Sequence, residues 1–397
     1  MLLGVSGGIA AYKSALVARL LTVAGADVRV VLTEAATRFV GADTFAALTG
    51  APAYTSLWER PGEVLHVRLA READASVVAP ATANILAKLA LGHADDLLSA
   101  TLLEFTGPLV IAPAMHSGMW EHPATQVNVE TLRSRDAVIV GPATGRLAHG
   151  DEGIGRLAEP EDVVAAVRGV LTPQDLTGRR FLITSGPTHE PIDPVRFVGN
   201  RSTGKMGAAL AAAAASRGAT VTVVLGPGAL VPAGVEVVAV QTAEEMRDVV
   251  LARYDDVDAV VMAAAVADFR PKAVAGQKLK KDTGVPELLL EPTPDILTEL
   301  GERRGRQVLV GFAAETEDLE RAGRAKLVSK HVDLLVVNRV GREGTGFGAE
   351  TNEAMLLAAS GDDVMLRRWT KPDLAAAVVE RVAVLLRDQP TGVGVGR

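Results

Sequence analysis

Short, mostly apolar runs recur along this chain, separated by longer stretches in which apolar residues return at helical spacing. In the first half the runs fall at residues 2–5, 27–32, 76–79, 109–112 and 137–140, with helical patterns at 10–24, 84–91, 96–105 and 124–133. An unbroken apolar run marks a strand buried on both faces. Such strands alternating with helices predict a parallel, doubly wound sheet. The second half starts again, with runs at 181–184, 220–225, 235–240, 259–263, 308–312 and 334–338 and an Ala-rich helix near Gly207. Residues 354–358 and 363–366, either side of Gly361-Asp362, predict an antiparallel hairpin, and 373–386 a closing helix. The predicted fold is α/β: two doubly wound, Rossmann-like domains, the second with an added hairpin. Pro173, Gly178 and mixed polar residues place a linker at 171–180, between domains at 1–170 and 181–387. Residues 388–397 read as a flexible tail.

Composition narrows the function classes. A chain of 397 residues suits about two or three domains. Its net charge of −7 argues against a nucleic-acid surface. With no cysteine, disulfides, thiolate metal sites, iron–sulfur clusters and thiol nucleophiles are excluded. No basic segment followed by an apolar core opens the chain, and no long apolar run is free of charge and glycine. A soluble cytoplasmic protein with no membrane partner is expected.

In doubly wound sheets, ligands sit outside the carboxyl ends of the strands. In the first half those ends carry Ser6-Gly7-Gly8, Thr33, residues 80–84 and residues 113–115. Residues 4–8 also fit G-x-S-x-G, the nucleophile elbow of hydrolases, but a turn bringing phosphate to a helix N-terminus is the favoured reading. In the second half, residues 186–207 form a Gly- and Pro-rich basic stretch with Arg196, Arg201 and Lys205. Such a stretch, entering a helix, suits phosphate or carboxylate. Its 199–205 segment fits G-x-x-x-x-G-K, yet Met206 stands where a phosphate loop needs a hydroxyl for Mg²⁺. A metal site from His116, His122 and His149 matches no known ligand spacing.

The first half resembles the flavin-dependent cysteine decarboxylases, in particular phosphopantothenoylcysteine decarboxylase. The resemblance rests on GVSGGIAAYK (4–13), LHVRLAREAD (65–74), APATAN (79–84), PAMHSGMW (113–120) and GRLAHGDEGIGRLAEP (145–160). It implies FMN held by Ser6, Gly7, Gly8, Thr33, Ala81, Thr82, Asn84 and Met115, with His66 as the catalytic base. The flavin would give the electrons left by departing CO₂ somewhere to go. Two residues depart from the family. His116 replaces an Asn that binds the substrate carboxylate, and His149 replaces the Cys that donates the final proton. An imidazole titrates near neutrality, so His149 is expected to take over as donor. The alternative is a flavin-binding half that is regulatory or impaired in decarboxylation.

The second half is similar to phosphopantothenate–cysteine ligases over roughly residues 178–387. Its signatures are EPIDPVRF with NRSTGKMG (190–207), AAAVADFR (263–270), KLKK (278–281), PTPDIL (292–297), VGFAAET (310–316) and the lysines before DLLVVN (333–338). The resemblance implies CTP with Mg²⁺ or Mn²⁺ bound by Met262, Ala263, Ala264, Asp268, Lys278, Pro294, Asp295, Ile296, Leu297, Phe312, Lys326 and Lys330. Asn200 would handle an acyl cytidylate beside Arg196. His189 stands where the family often has Arg. Lys278 and its neighbours alternate as a strand does and predict a covering flap. Both halves in this order match the bifunctional enzymes of coenzyme A synthesis. Their substrates are 4′-phosphopantothenate, cysteine and CTP. They form homo-oligomers, trimeric through the first half and dimeric through the second, and usually carry several residues ahead of the first strand.

Overall fold

The structure, a computed structural model, describes residues 1–60, 62–146, 152–280, 287–341, 349 and 351–387. The chain divides into two compact units, Met1–Thr172 and Pro173–Arg397.

In the N-terminal unit β1 (Leu2–Val5), β2 (Arg29–Leu32), β3 (Ala53–Tyr54), β4 (Ser76–Ala81), β5 (Leu109–Pro113) and β6 (Val138–Ile139) form one sheet in the order β3-β2-β1-β4-β5-β6. Every pairing is parallel. The period of two explains the unbroken apolar runs. Leu3, Val5, Val30 and Val77 face one core, shared with Val17 and Val163. Leu2, Val31, Val78 and Ile111 face the other, with Ile85, Leu97 and Val129. A hairpin of β7 (Ala143–Arg146) and β8 (Glu152–Arg156) follows, then the helix Pro160–Leu171.

The C-terminal unit repeats the plan. It contains β9 (Arg180–Ser185), β10 (His189–Pro191), β11 (Phe197–Gly199), β12 (Thr220–Leu225), β13 (Glu236–Ala239), β14 (Ala259–Met262), β15 (Phe269–Pro271), β16 (Leu290–Pro292), β17 (Val308–Glu315), β18 (Leu334–Arg339), β19 (Thr351–Ala358) and β20 (Val364–Thr370). The main sheet runs β13-β12-β9-β14-β17-β18-β19-β20. Its first six strands are parallel and take the same winding order as the N-terminal sheet; β19 and β20 add the antiparallel hairpin. Phe181, Ile183, Val221 and Val261 pack with Leu210 and Val378 on one face, and Leu182, Val260 and Leu309 with Met246 and Leu300 on the other.

Three expectations change. The 186–207 stretch is not all loop, because β10 and β11 pair within it and β15 pairs with β16 nearby. Lys278, Leu279 and Lys280 have no regular structure despite their alternation, and Lys281 lies outside the described residues. Alternation alone supplies no pairing edge. Within 171–180, read from the sequence as a linker, Leu176 is buried in the C-terminal core and its N–H donates to the Arg217 carbonyl. The tail at 388–397 lies outside the described residues. Among the described residues no helix is long and apolar enough to cross a membrane.

Two candidate active sites

In each sheet the winding direction reverses between the first and fourth strands, β1 and β4 in one unit and β9 and β14 in the other. A crevice opens at such a reversal, outside the carboxyl ends of the strands. Each unit carries its cavity there.

The N-terminal cavity is about 1140 Å³, and Ser6, Gly7, Gly8, Thr33, Thr82, Asn84, Met115 and His116 all line it. Ser6 is buried; its Oγ donates to the Pro80 carbonyl at 2.7 Å and accepts from the Thr82 N–H at 3.0 Å. That hydroxyl is committed to stitching two strand ends, so the hydrolase-elbow reading fails. A Cβ on Gly7 would fall 2.4 Å from the Ala35 Cβ. Only glycine lets the turn after β1 lie this close to the turn after β2, where the Thr33 Oγ1 accepts from the Ala36 N–H. The helices Ala11–Val23 and Ala83–Leu91 both begin at this crevice, with no side-chain cap on their first N–H groups. Two helix starts favour an anion, and Ile9, Met115 and Leu157 supply apolar wall.

The hairpin is tied to this wall. The Met115 N–H donates to the Gly155 carbonyl at 2.9 Å, and the Ser117 Oγ to the Ile154 carbonyl at 2.6 Å. At its base Glu159 pairs with both Lys13 and Arg156. Lys13 chiefly, through its hydrogen bond, holds the Glu159 carboxyl below its usual range. His116 caps the short helix Ser117–Trp120 and is exposed at the rim.

Two expected residues are elsewhere. Ala81 is fully buried in β4 and does not line the cavity; its carbonyl accepts from the Ala114 N–H and so positions the Met115 loop. His66 sits half-buried on the helix Leu65–Arg71 and lines no part of its own chain's cavity. His149 lies outside the described residues. Among the described residues no group of three or more His, Asp or Glu is placed to hold a metal.

The C-terminal cavity is about 700 Å³. Its floor is the start of the helix Lys205–Ser216, whose N-cap Gly204 has φ 73°. The Ser185 Oγ donates to the Gly204 carbonyl, and a Cβ on Gly207 would fall 2.3 Å from that same Oγ. Asn200 bridges to the opposite wall, its Nδ2 donating to the carbonyls of Ala265 at 3.3 Å and Val266 at 2.9 Å. Met262, Ala263, Ala264, Asp268, Pro294, Asp295, Ile296, Leu297, Phe312, Lys326 and Lys330 all line this cavity. Lys330 donates to the Thr298 Oγ1 at 2.6 Å and pairs with Asp295; Lys326 pairs with Glu315 at 2.7 Å. Burial opposes ionisation of Asp295, but the Lys330 hydrogen bond and the Thr298 N–H outweigh it and hold the carboxyl below its ordinary value.

Lys278 and Arg196 are exposed and do not line the cavity. Lys371 and Asn352 do line it, both buried, with the Lys371 Nζ donating to the Asn352 Oδ1 at 2.8 Å. Sequence reasoning missed both. They lie on the added hairpin and the closing helix, and no motif surrounds them.

The fold and sites define a flavoprotein unit followed by a ligase-type unit. A family model described as "Flavoprotein" matches residues 1–172, and one described as "DNA/pantothenate metabolism flavoprotein C-terminal domain" matches residues 176–385. The chain is 48% identical over 404 residues to the "Coenzyme A biosynthesis bifunctional protein CoaBC" of Mycobacterium tuberculosis, covering 97% of this chain and 96% of that one. It is 46% identical over 392 residues to the protein of that name from Bacillus subtilis, covering 97% of each. A solved C-terminal domain of a CoaBC protein is 39% identical, covers 54% of this chain and 100% of that one, and has a TM-score of 0.47. The chain belongs to this family of bifunctional coenzyme A biosynthesis enzymes, which join a flavoprotein decarboxylase to a ligase. The reading of the first half as merely regulatory is not favoured.

Proposed function

We propose that the C-terminal unit joins cysteine to 4′-phosphopantothenate at the expense of CTP, and that the N-terminal unit decarboxylates the product to 4′-phosphopantetheine with FMN. The observation that carries this reading is the pair of separate crevices, one per unit, each lined by its own half's motifs.

A carboxylate cannot acylate an amine while its leaving group is oxide. Its oxygen attacks the α-phosphorus of CTP, pyrophosphate leaves, and an acyl cytidylate forms. The cysteine amine then attacks the acyl carbon and CMP leaves. Mg²⁺ arrives with the triphosphate. Lys326 and Lys330, now paired with Glu315 and Asp295, are two cations of the cavity wall that can exchange those partners for phosphate oxygens. Asn200 spans the crevice where the acyl group would lie. Lys278 lies outside its own chain's cavity, so it reaches the nucleotide held by a second copy, in keeping with dimers through this unit.

The N-terminal donor set fits FMN. Uncapped helix starts and the Gly7-Gly8 turn suit its phosphate, and the Ile9, Met115 and Leu157 wall suits its ring. When bound, FMN supplies a two-electron sink and source, which lets CO₂ leave. His116 at the rim takes the substrate carboxylate, and His149 serves as proton donor. Because His66 lies outside its own chain's cavity, its role as base requires a neighbouring copy, which fits trimers through this unit; dimers form through the other. The absence of cysteine fits a cytoplasmic enzyme.

The test is isotopic. With heavy oxygen in the phosphopantothenate carboxylate, one label should appear in CMP for each amide formed. Label in pyrophosphate, or none in CMP, overturns the acyl-cytidylate route.

A further inference from the structure

Building on the ligase reading above, we infer that Asp193 is a positioning residue, locking the Arg196 guanidinium and the backbone of the Lys278–Lys280 segment into one unit. The Asp193 side chain is fully buried, a costly place for a carboxylate unless its oxygens are satisfied. One oxygen accepts from the N–H groups of Val195 at 2.7 Å and Arg196 at 2.8 Å. The other accepts from the Arg196 Nη1 at 3.2 Å and from the Leu279 N–H, also at 3.2 Å. Closing the turn needs only its own residues; the bond to Leu279 reaches a segment 86 positions away.

Arg196 completes the hold. Its Nη1 also donates to the Leu279 carbonyl at 3.2 Å, so both backbone groups of Leu279 are held by this acid–base pair. Fixing the N–H and C=O of Leu279 fixes the two peptide planes that flank it, and so where the backbone of Lys278 and Lys280 lies. The Ala275 N–H, donating to the Ile192 carbonyl at 3.0 Å, secures the same approach. A group that handles the acid and a group that handles the nucleotide are thereby set by one buried carboxylate.

The test uses the full-length chain. Asp193→Asn keeps the shape and one acceptor but sets an amide NH₂ against two donors. Hydrogen bonds to charged groups are worth enough to change kcat/KM for CTP about tenfold or more, and trypsin should cut faster after Lys278. The decisive readout is coupling: in a Lys278→Ala background the same substitution should change KM for CTP by less than about twofold, its effect through Arg196 remaining in KM for 4′-phosphopantothenate. Effects that simply multiply, or unchanged cleavage after Lys278, overturn the inference. Should Asp193→Asn fail to fold, Leu279→Pro removes the same N–H from the opposite side; it should raise KM for CTP and lose its effect in the Lys278→Ala background, and a multiplying effect there is again contrary. A wild-type chain without CTP-dependent amide formation would instead defeat the ligase reading.

Discussion

Replacing Gly155 by Ala tests how the hairpin of the N-terminal unit serves its cavity. Gly155 has φ 142°, and a Cβ there would lie 2.1 Å from the Met115 carbonyl oxygen and 3.2 Å from its carbon. The obstacle is backbone, and it is the strand-end segment that carries Met115 and His116. Restoring ordinary contact requires a separation on the order of 1 Å, which breaks the 2.9 Å bond from the Met115 N–H to the Gly155 carbonyl. Overpacking costs about 1–3 kcal/mol, and holding a residue with a side chain in this glycine region costs about 1–3 kcal/mol more. The smaller cost is local release of the hairpin, so the sheet should persist while the wall beside Met115 opens. Flavin affinity, measured by fluorescence titration of the stripped protein, should fall about thirtyfold or more, the low end of the summed cost of about 2 kcal/mol. Decarboxylation should fall with it, while CTP-dependent amide formation in the same protein stays within about twofold. A Gly155→Ala protein that binds flavin and releases CO₂ as the wild type does would refute the reasoning.

Other consequences follow from the same contacts. Gly207→Ala places a Cβ 2.3 Å from the Ser185 Oγ at the floor of the other cavity; it should cost about 1–3 kcal/mol, read by urea unfolding, and lower ligase kcat without changing flavin content. Lys330→Gln should raise KM for CTP about tenfold but change stability by less than about 1 kcal/mol, because Asp295, its carboxylate partner, is half exposed. Asp175 is held at about 2, below its ordinary 3.8, first by the Arg217 hydrogen bond, against burial, and then by Arg387. Its folded-state value is depressed, so its contribution, about 1 kcal/mol after solvent screening, is present above about pH 4 and lost as pH falls toward about 2; Asp175→Asn should remove that part of the acid dependence in urea titrations. Mixing inactive His66→Asn and Asn84→Asp chains should restore some decarboxylation if His66 serves a neighbouring copy, and none if it acts within its own chain.

The main strands were legible because burial on both faces of a parallel sheet demands unbroken apolar runs, as at Leu2–Val5 and Ala259–Met262. β3, at Ala53–Tyr54, is two residues on an edge and leaves no periodic signal. The ribbon of β10 and β11 hid among prolines and glycines, since its pairing rests on a turn closed by Asp193 and on the stacked rings of His189 and Phe197 rather than on an apolar run. At the sites, motifs named the chemistry better than the place. Ser6, Thr82 and Asn200 lie at the crevices because strand ends and helix starts put them there, and Lys330 enters from the C-cap of the helix Leu319–Ser329. His66, Arg196 and Lys278 carry equally clear motifs yet stand outside their own chain's cavities, because a motif names residue types and not where the chain turns. Lys371 was invisible for the opposite reason: only the return of the closing helix against Asn352 brings it to the site.

The most direct measurement is one reaction followed by mass spectrometry, with flavin-loaded protein, Mg²⁺, cysteine and 4′-phosphopantothenate, with and without CTP. With CTP an amide of the acid and cysteine should appear alongside CMP and pyrophosphate, then lose the mass of CO₂ to give 4′-phosphopantetheine; without CTP neither product should form. An amide that forms without CTP, or one that accumulates with no loss of CO₂ while flavin stays bound, would contradict that route.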